Sequence, residues 1–194
     1  VINSDFRILN QANVEIFVDH KILLKVIKSM FLNTLEHYRK EYTNMEKCRV
    51  FVSYSNDGKD HLSKITRIVE RLRSEGFIVD FYEDAPLGTD MVKFMRNIET
   101  CDIALIIGSK LYKNKAMEMP DSGVSFEDGI FADIYSSKNR EKIVPISFKS
   151  IQDDVPAPFN KLKGMQFREN PTNKEMDIFV SAMIRKHLLN KSRK

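Results

Sequence analysis

The run Ile103-Ala104-Leu105-Ile106-Ile107 contains no polar side chain and sits between stretches of helical periodicity. A strand with one wet face alternates apolar and polar residues, whereas a strand covered on both faces does not. A strand of this kind belongs in the middle of a sheet layered between helices. Parallel strands also need long crossovers, usually helical, to return the chain to the same edge. One apolar pentapeptide in this setting therefore points to an α/β protein with a parallel sheet.

The rest of the chain from residue 49 repeats the rhythm. Arg49-Val50-Phe51-Val52-Ser53 reads as a strand ended by the turn formers Ser55-Asn56-Asp57-Gly58. Asp60 is a candidate cap for a helix with Ile65, Ile68, Val69 and Leu72 on its buried stripe, closed by Gly76. Phe77 to Phe81 is a second strand, followed by a loop with Pro86 and Gly88 and a helix marked by Met91, Phe94, Met95 and Ile98. A long loop is expected from Gly108 to Gly123, then a helix over about Ser125 to Tyr135. Lys142 to Phe148 reads as a fourth strand, Met165 to Phe167 as a short edge strand, and Met176 to Leu189 as a closing helix. The expected architecture is a flavodoxin-like, doubly wound, five-stranded parallel sheet with flanking helices. Its first strand should lie beside its third, which puts Cys48 and Cys101 at the amino-terminal edge as free thiols.

Residues 11–46 lack Pro and Gly, and Leu24, Ile27, Phe31, Leu35, Tyr38, Tyr42 and Met45 recur in steps of three and four. This predicts one long N-terminal helix, from about residue 14 to 45, with that face buried on the domain or on a second copy. The expected division is a helical extension over 1–46 and a domain over 47–194.

Composition excludes several classes of function. Net charge is +4 with both signs interleaved, and the basic tail from Lys186 lacks the aromatic stripe of a nucleic-acid surface. No apolar run approaches the ~20 residues of a membrane span. Two isolated cysteines in the chain fit a reducing compartment such as the cytoplasm. The four histidines, at 20, 37, 61 and 187, have no second ligand at metal spacing, so neither a metal nor a bound cofactor is expected. Neither the Gly-rich dinucleotide fingerprint nor the phosphate-binding P-loop is present, and there is no nucleophile elbow. Ser53-Tyr54 and Gly108-Ser109 stand where a phosphorylated receiver would need acids.

In a doubly wound sheet a ligand binds beyond the carboxyl ends of the strands, where strand order reverses. That places Ser53, Tyr54 and Ser55 at the site, with Glu127 reached through the segment Gly123-Val124-Ser125-Phe126-Glu127-Asp128-Gly129. Glu127 also has a structural reading. Ser125 and Asp128 are close to a capping box, and an acid in a first turn contributes about 0.3–1 kcal/mol against the helix dipole. Gly129 inside a helix costs about 1 kcal/mol relative to Ala, which points to close packing or a ligand there.

These segments together resemble the TIR and SEFIR domains. Arg49 to Ser55 is similar to their first box, a strand ending in Ser-Tyr. Pro86-Leu87-Gly88 sits where their functional loop follows the second strand. Asp102 to Ile107 with Tyr112 resembles their third strand and the tyrosine after it. Gly123 to Glu127 resembles the SEFIR signature, with Phe126 where Trp is usual. Lys142 to Ile146 resembles the next strand. The resemblance implies a signalling domain that associates with itself or with other SEFIR or TIR domains, as a homo-oligomer when active. It also implies a second activity, cleavage of NAD+ as a substrate at the nicotinamide–ribose bond. Glu127 would then be catalytic, and Ser53, Tyr54, Ser55 and Phe126 would contact the ligand.

Overall fold

The computed structural model describes residues 6–9, 15–18, 22–33 and 48–191. The chain divides into two units, Val1–Thr43 and Asn44–Lys194. In the first unit, strands β1 (Phe6–Leu9) and β2 (Glu15–Val18) pair antiparallel, Phe6 opposite Val18 and Leu9 opposite Glu15. Helix α1 follows over residues 22–33. This corrects the expectation of an unbroken helix from residue 14. Ile16, Phe17 and Val18 are β-branched or aromatic, and such side chains lose rotamer freedom in a helix and pack well on a pleated ribbon. Lack of Pro and Gly removes helix breakers without making a helix. Leu35, Tyr38, Tyr42 and Met45 lie outside the described residues. Leu24, Ile27 and Phe31 are exposed, Phe31 at 63%. Ile22, Val26, Met30 and Leu32 are exposed as well, so α1 is apolar around most of its circumference.

The second unit holds strands β3 (Arg49–Tyr54), β4 (Ile78–Asp80), β5 (Ile103–Gly108), β6 (Ile143–Ser147) and β7 (Met165–Gln166) in one sheet. Their order is β4-β3-β5-β6-β7, and every neighbouring pair is parallel. The first and third strands of the sheet are adjacent, with Val50 opposite Ile103 and Tyr54 opposite Ile107. Cys48 and Cys101 are buried free thiols just before these two strands.

Because strand side chains alternate, each strand feeds two cores. Val50, Val52, Leu105 and Ile107 face Ile65, Ile68 and Leu72 of helix α2 (Lys59–Ser74) and Phe179, Val180 and Met183 of the C-terminal helix, Asn173–Lys191. Phe51, Ala104 and Ile106 face Ile98, Tyr112, Phe131 and Phe159 on the other side. Each large apolar side chain buried in this way contributes about 1.5–3 kcal/mol before entropy is counted.

Three local expectations change. Helix α2 is capped at Gly58 rather than Asp60, and Asp60 instead pairs with Lys64 one turn later at 2.6 Å. The helix expected around 91–98 is two short ones, α3 (Met91–Met95) and α4 (Asn97–Thr100). The buried Lys142 ammonium donates to the carbonyls of Ile98 at 2.7 Å and Glu99 at 3.0 Å, satisfying acceptors that a helix end leaves open. The expected long loop after β5 contains α5 (Lys110–Glu118), capped by Ser109, whose Oγ accepts from the Tyr112 N–H at 2.9 Å. The remaining helices are α6 (Gly123–Ser136) and α7 (Ile151–Asp154), and the C-terminal helix Asn173–Lys191 is α8. α7 crosses the end of β5 closely: a Cβ on Gly108 would lie 2.5 Å from Val155 Cγ2 and 2.8 Å from the Asp154 carbonyl oxygen.

Candidate functional site

The site forms where β3 ends under α6. Ser53 shares the strand face of Phe51, so its hydroxyl points into the α6 side of the sheet, and the residue is 1% exposed. Helix α6 is capped by Ser122, whose Oγ accepts from the Ser125 N–H at 3.1 Å. The helix thus begins earlier than expected, with no acid in its first turn, and the capping-box reading of Ser125 and Asp128 does not hold. That start turns Glu127 inward. Although the residue as a whole is partly exposed, its carboxylate Oε2 accepts from Ser53 Oγ. Tyr112, fully buried on α5, places its hydroxyl 2.8 Å from the same Ser53 oxygen. A serine has one proton to give, so with Ser53 donating to Glu127, Tyr112 donates to Ser53.

Burial pushes the Glu127 carboxyl up to about 8, and the Ser53 hydrogen bond pulls it down only in part. Asp128 is pushed up by burial to about 6, and its Oδ1 is buried without a hydrogen-bond partner among the described residues. Burial first, and then the Glu127 charge, raise the Tyr112 phenol well above its ordinary range. Near neutral pH Glu127 and Tyr112 are mostly protonated, whereas Asp128 is mostly ionised.

The other expected site residues point elsewhere. Tyr54 projects to the opposite face of the sheet, where its ring lies 5.3 Å from that of Phe81 and its hydroxyl donates to Glu83 Oε1 at 2.8 Å. Burial, then the Glu83 bond, raise its pKa, and the Glu127 charge adds to the shift. Ser55 donates to Asp57 and lies 3.1 Å from the Ser109 hydroxyl. Phe126 sits on the outer side of α6 with the Arg96 guanidinium 6.0 Å from its ring centre. Ser53 and Glu127 are therefore in direct contact, while Tyr54, Ser55 and Phe126 hydrogen-bond or stack with other partners. Tyr112 and Asp128 complete the cluster without having been singled out for it. Their signal was weak, one tyrosine in a lysine-rich stretch and one acid beside another. A cavity of about 370 Å³ opens beyond Ser109, lined by His61, Lys64, Phe148 and Asp154 and not by Glu127.

The description of the TIR domain family matches residues 50–180, more than half of the chain, including β3, Ser53, Tyr112 and Glu127. This chain belongs to the TIR domain family. A solved prokaryotic SEFIR domain is similar to it at 26% identity and a TM-score of 0.51, covering 72% of this chain and 98% of that one. No curated protein matches it. In this TIR domain the loop after β4 runs through a short turn, Tyr82–Asp84, to Gly88, whose φ of +85° suits glycine. Leu87 at its tip is fully exposed, and Met91 and Val92 of α3 are exposed beyond it.

Proposed function

We propose that this TIR domain signals by homotypic association, and that the loop after β4 with the start of α3 is its contact surface. The observation that carries the assignment of this surface is Leu87, a large apolar side chain held wholly in solvent beside the exposed Tyr82, Met91 and Val92. Clustered exposed apolar residues mark association surfaces far more often than single ones do. The inward turn of Glu127 supports the same reading. A carboxyl with a pKa near 8 is mainly neutral at pH 7 and gives little stabilisation to a developing positive charge. The buried free thiols of Cys48 and Cys101 agree with work in a reducing compartment such as the cytoplasm. Among the described residues no helix is long and apolar enough to cross a membrane. The test is sedimentation velocity across a concentration series. Wild type forms a larger species as concentration rises, and Leu87→Asp remains monomeric with an unchanged circular dichroism spectrum. Equal behaviour of the two proteins would remove this surface.

A second reading is NAD+ cleavage with Glu127 as the catalytic residue. It is supported by the placement of a carboxylate, with its serine donor, at the carboxyl end of β3. Ionised, Glu127 could stabilise an oxocarbenium-like ribose while nicotinamide leaves as a neutral ring without a general acid. Release of nicotinamide by the concentrated protein, rising toward pH 8 and absent in Glu127→Ala, is the expected result of this reading. Equal release by the two proteins would exclude Glu127 from catalysis.

A further inference from the structure

At the end of the sheet opposite Glu127, three side chains from distant segments converge. Cys48 stands just before β3, Asp102 just before β5, and His187 on α8. Their sulfur, carboxylate oxygen and imidazole nitrogen all lie within 4.8 Å of one another. Cys48 is 0% and His187 1% exposed. We propose that Cys48, Asp102 and His187 form a binding site for a divalent transition-metal ion, with zinc as the occupant that suits this donor set.

The chemistry of the donors selects the ion. One thiolate, one imidazole and one carboxylate are the ligand types that zinc accepts, whereas calcium and magnesium take oxygen alone. Zinc–ligand bonds of about 2.0–2.3 Å at tetrahedral angles set neighbouring donor atoms about 3.3–3.6 Å apart. The cluster reaches that spacing by closing roughly an ångström. Two anionic ligands neutralise a dication, so the filled site carries no net charge into a buried place. Asp102 is already oriented, because its Oδ2 accepts from the Arg49 N–H at 2.9 Å, an outer contact of the kind that positions metal ligands. The neighbouring Cys101 is otherwise engaged, its thiol donating to the Ile98 carbonyl at 3.3 Å, so Cys48, Asp102 and His187 are the three ligands of the cluster. Residue spacing along the chain hides this site, since each ligand comes from a different element and only the parallel β3–β5 pairing and the packing of α8 join them. Its effect is structural. The ion ties the last helix to the amino ends of the two central strands, so its binding energy adds to folding energy.

Cobalt(II) titration of the full chain, freed of metal by a chelator, tests the proposal. Wild type develops a thiolate-to-cobalt charge-transfer band with tetrahedral visible bands, saturating at one ion per chain and bleached by zinc. Cys101→Ala keeps the bands. Cys48→Ala loses the charge-transfer band, and His187→Ala binds more than about a hundredfold more weakly, beyond the 10–100-fold typical of outer contacts. Zinc also raises the thermal midpoint of the wild type, a readout that needs no variant to fold. Absence of the charge-transfer band in wild type, its persistence in Cys48→Ala, or an unchanged midpoint with zinc would each overturn the proposal.

Discussion

Glu127 carries a pH signature that can be read without any ligand. Its pKa is about 8 in the folded state against 4.5 ordinarily. Below about pH 4.5 both states hold the proton and the group contributes no difference. Between there and about 8 the unfolded chain releases the proton and the folded one keeps it, so stability falls as pH rises. The slope is at most about 1.4 kcal/mol per pH unit, and Asp128 adds in the same sense up to about pH 6. Glu127→Gln keeps the shape and removes the titration. Urea midpoints at about pH 6 and pH 8.5 are expected to drop less in Glu127→Gln than in wild type; equal drops would mean that Glu127 titrates normally. Gly129 gives a second residue-scale expectation. The sequence pointed to tight packing or a ligand there, yet a Cβ at this position would meet nothing within 4 Å, and its φ is not positive. Gly129→Ala is expected to stabilise the fold by about 0.5–1 kcal/mol in the same unfolding measurement.

At the scale of elements, legibility followed the strength of the periodic signal. The apolar run of β5 and the stripe of α2 identified themselves, because both are buried on the faces their patterns imply. Helix α5 did not, since only Tyr112 of its nine residues is buried and three lysines, Asn114 and Glu118 break any apolar stripe. The inward turn of Glu127 was hidden for a related reason: it depends on where α6 starts, and that is set by the Ser122 cap. Position near the carboxyl edge was readable for Ser53, whereas Tyr54 parts from it because successive strand residues face opposite sides, and Ser55, beyond the end of β3, turns to Asp57 and Ser109. In the N-terminal unit the helical spacing seen further along the chain does not reach back over 15–18, where β2 forms. Phe31 is exposed on α1, so Phe31→Asp is expected to change the unfolding free energy of dilute protein by less than about 0.5 kcal/mol. It is also expected to raise the concentration at which the full chain aggregates, measured by light scattering. A large loss of stability would show that this helix face is covered.

At the scale of the molecule, the sheet separates two kinds of chemistry. Glu127 and Leu87 lie in segments that follow strands, while the proposed metal cluster lies at the amino ends of β3 and β5, where α8 brings His187. The Leu87→Asp and Cys48→Ala variants are therefore expected to be independent. Leu87→Asp should abolish association and leave the cobalt spectrum unchanged, because sites this far apart with no shared partner combine additively. The sheet itself has a further consequence for how such domains can meet. Its two outermost strands, β4 and β7, are three and two residues long. An incoming chain finds too few open main-chain groups at either flank to add itself as a further strand. Growth by backbone templating is closed off. An association of the kind proposed would then rest on side chains, which leaves its partner choice open to change by single substitutions on loops and helices while the sheet stays untouched.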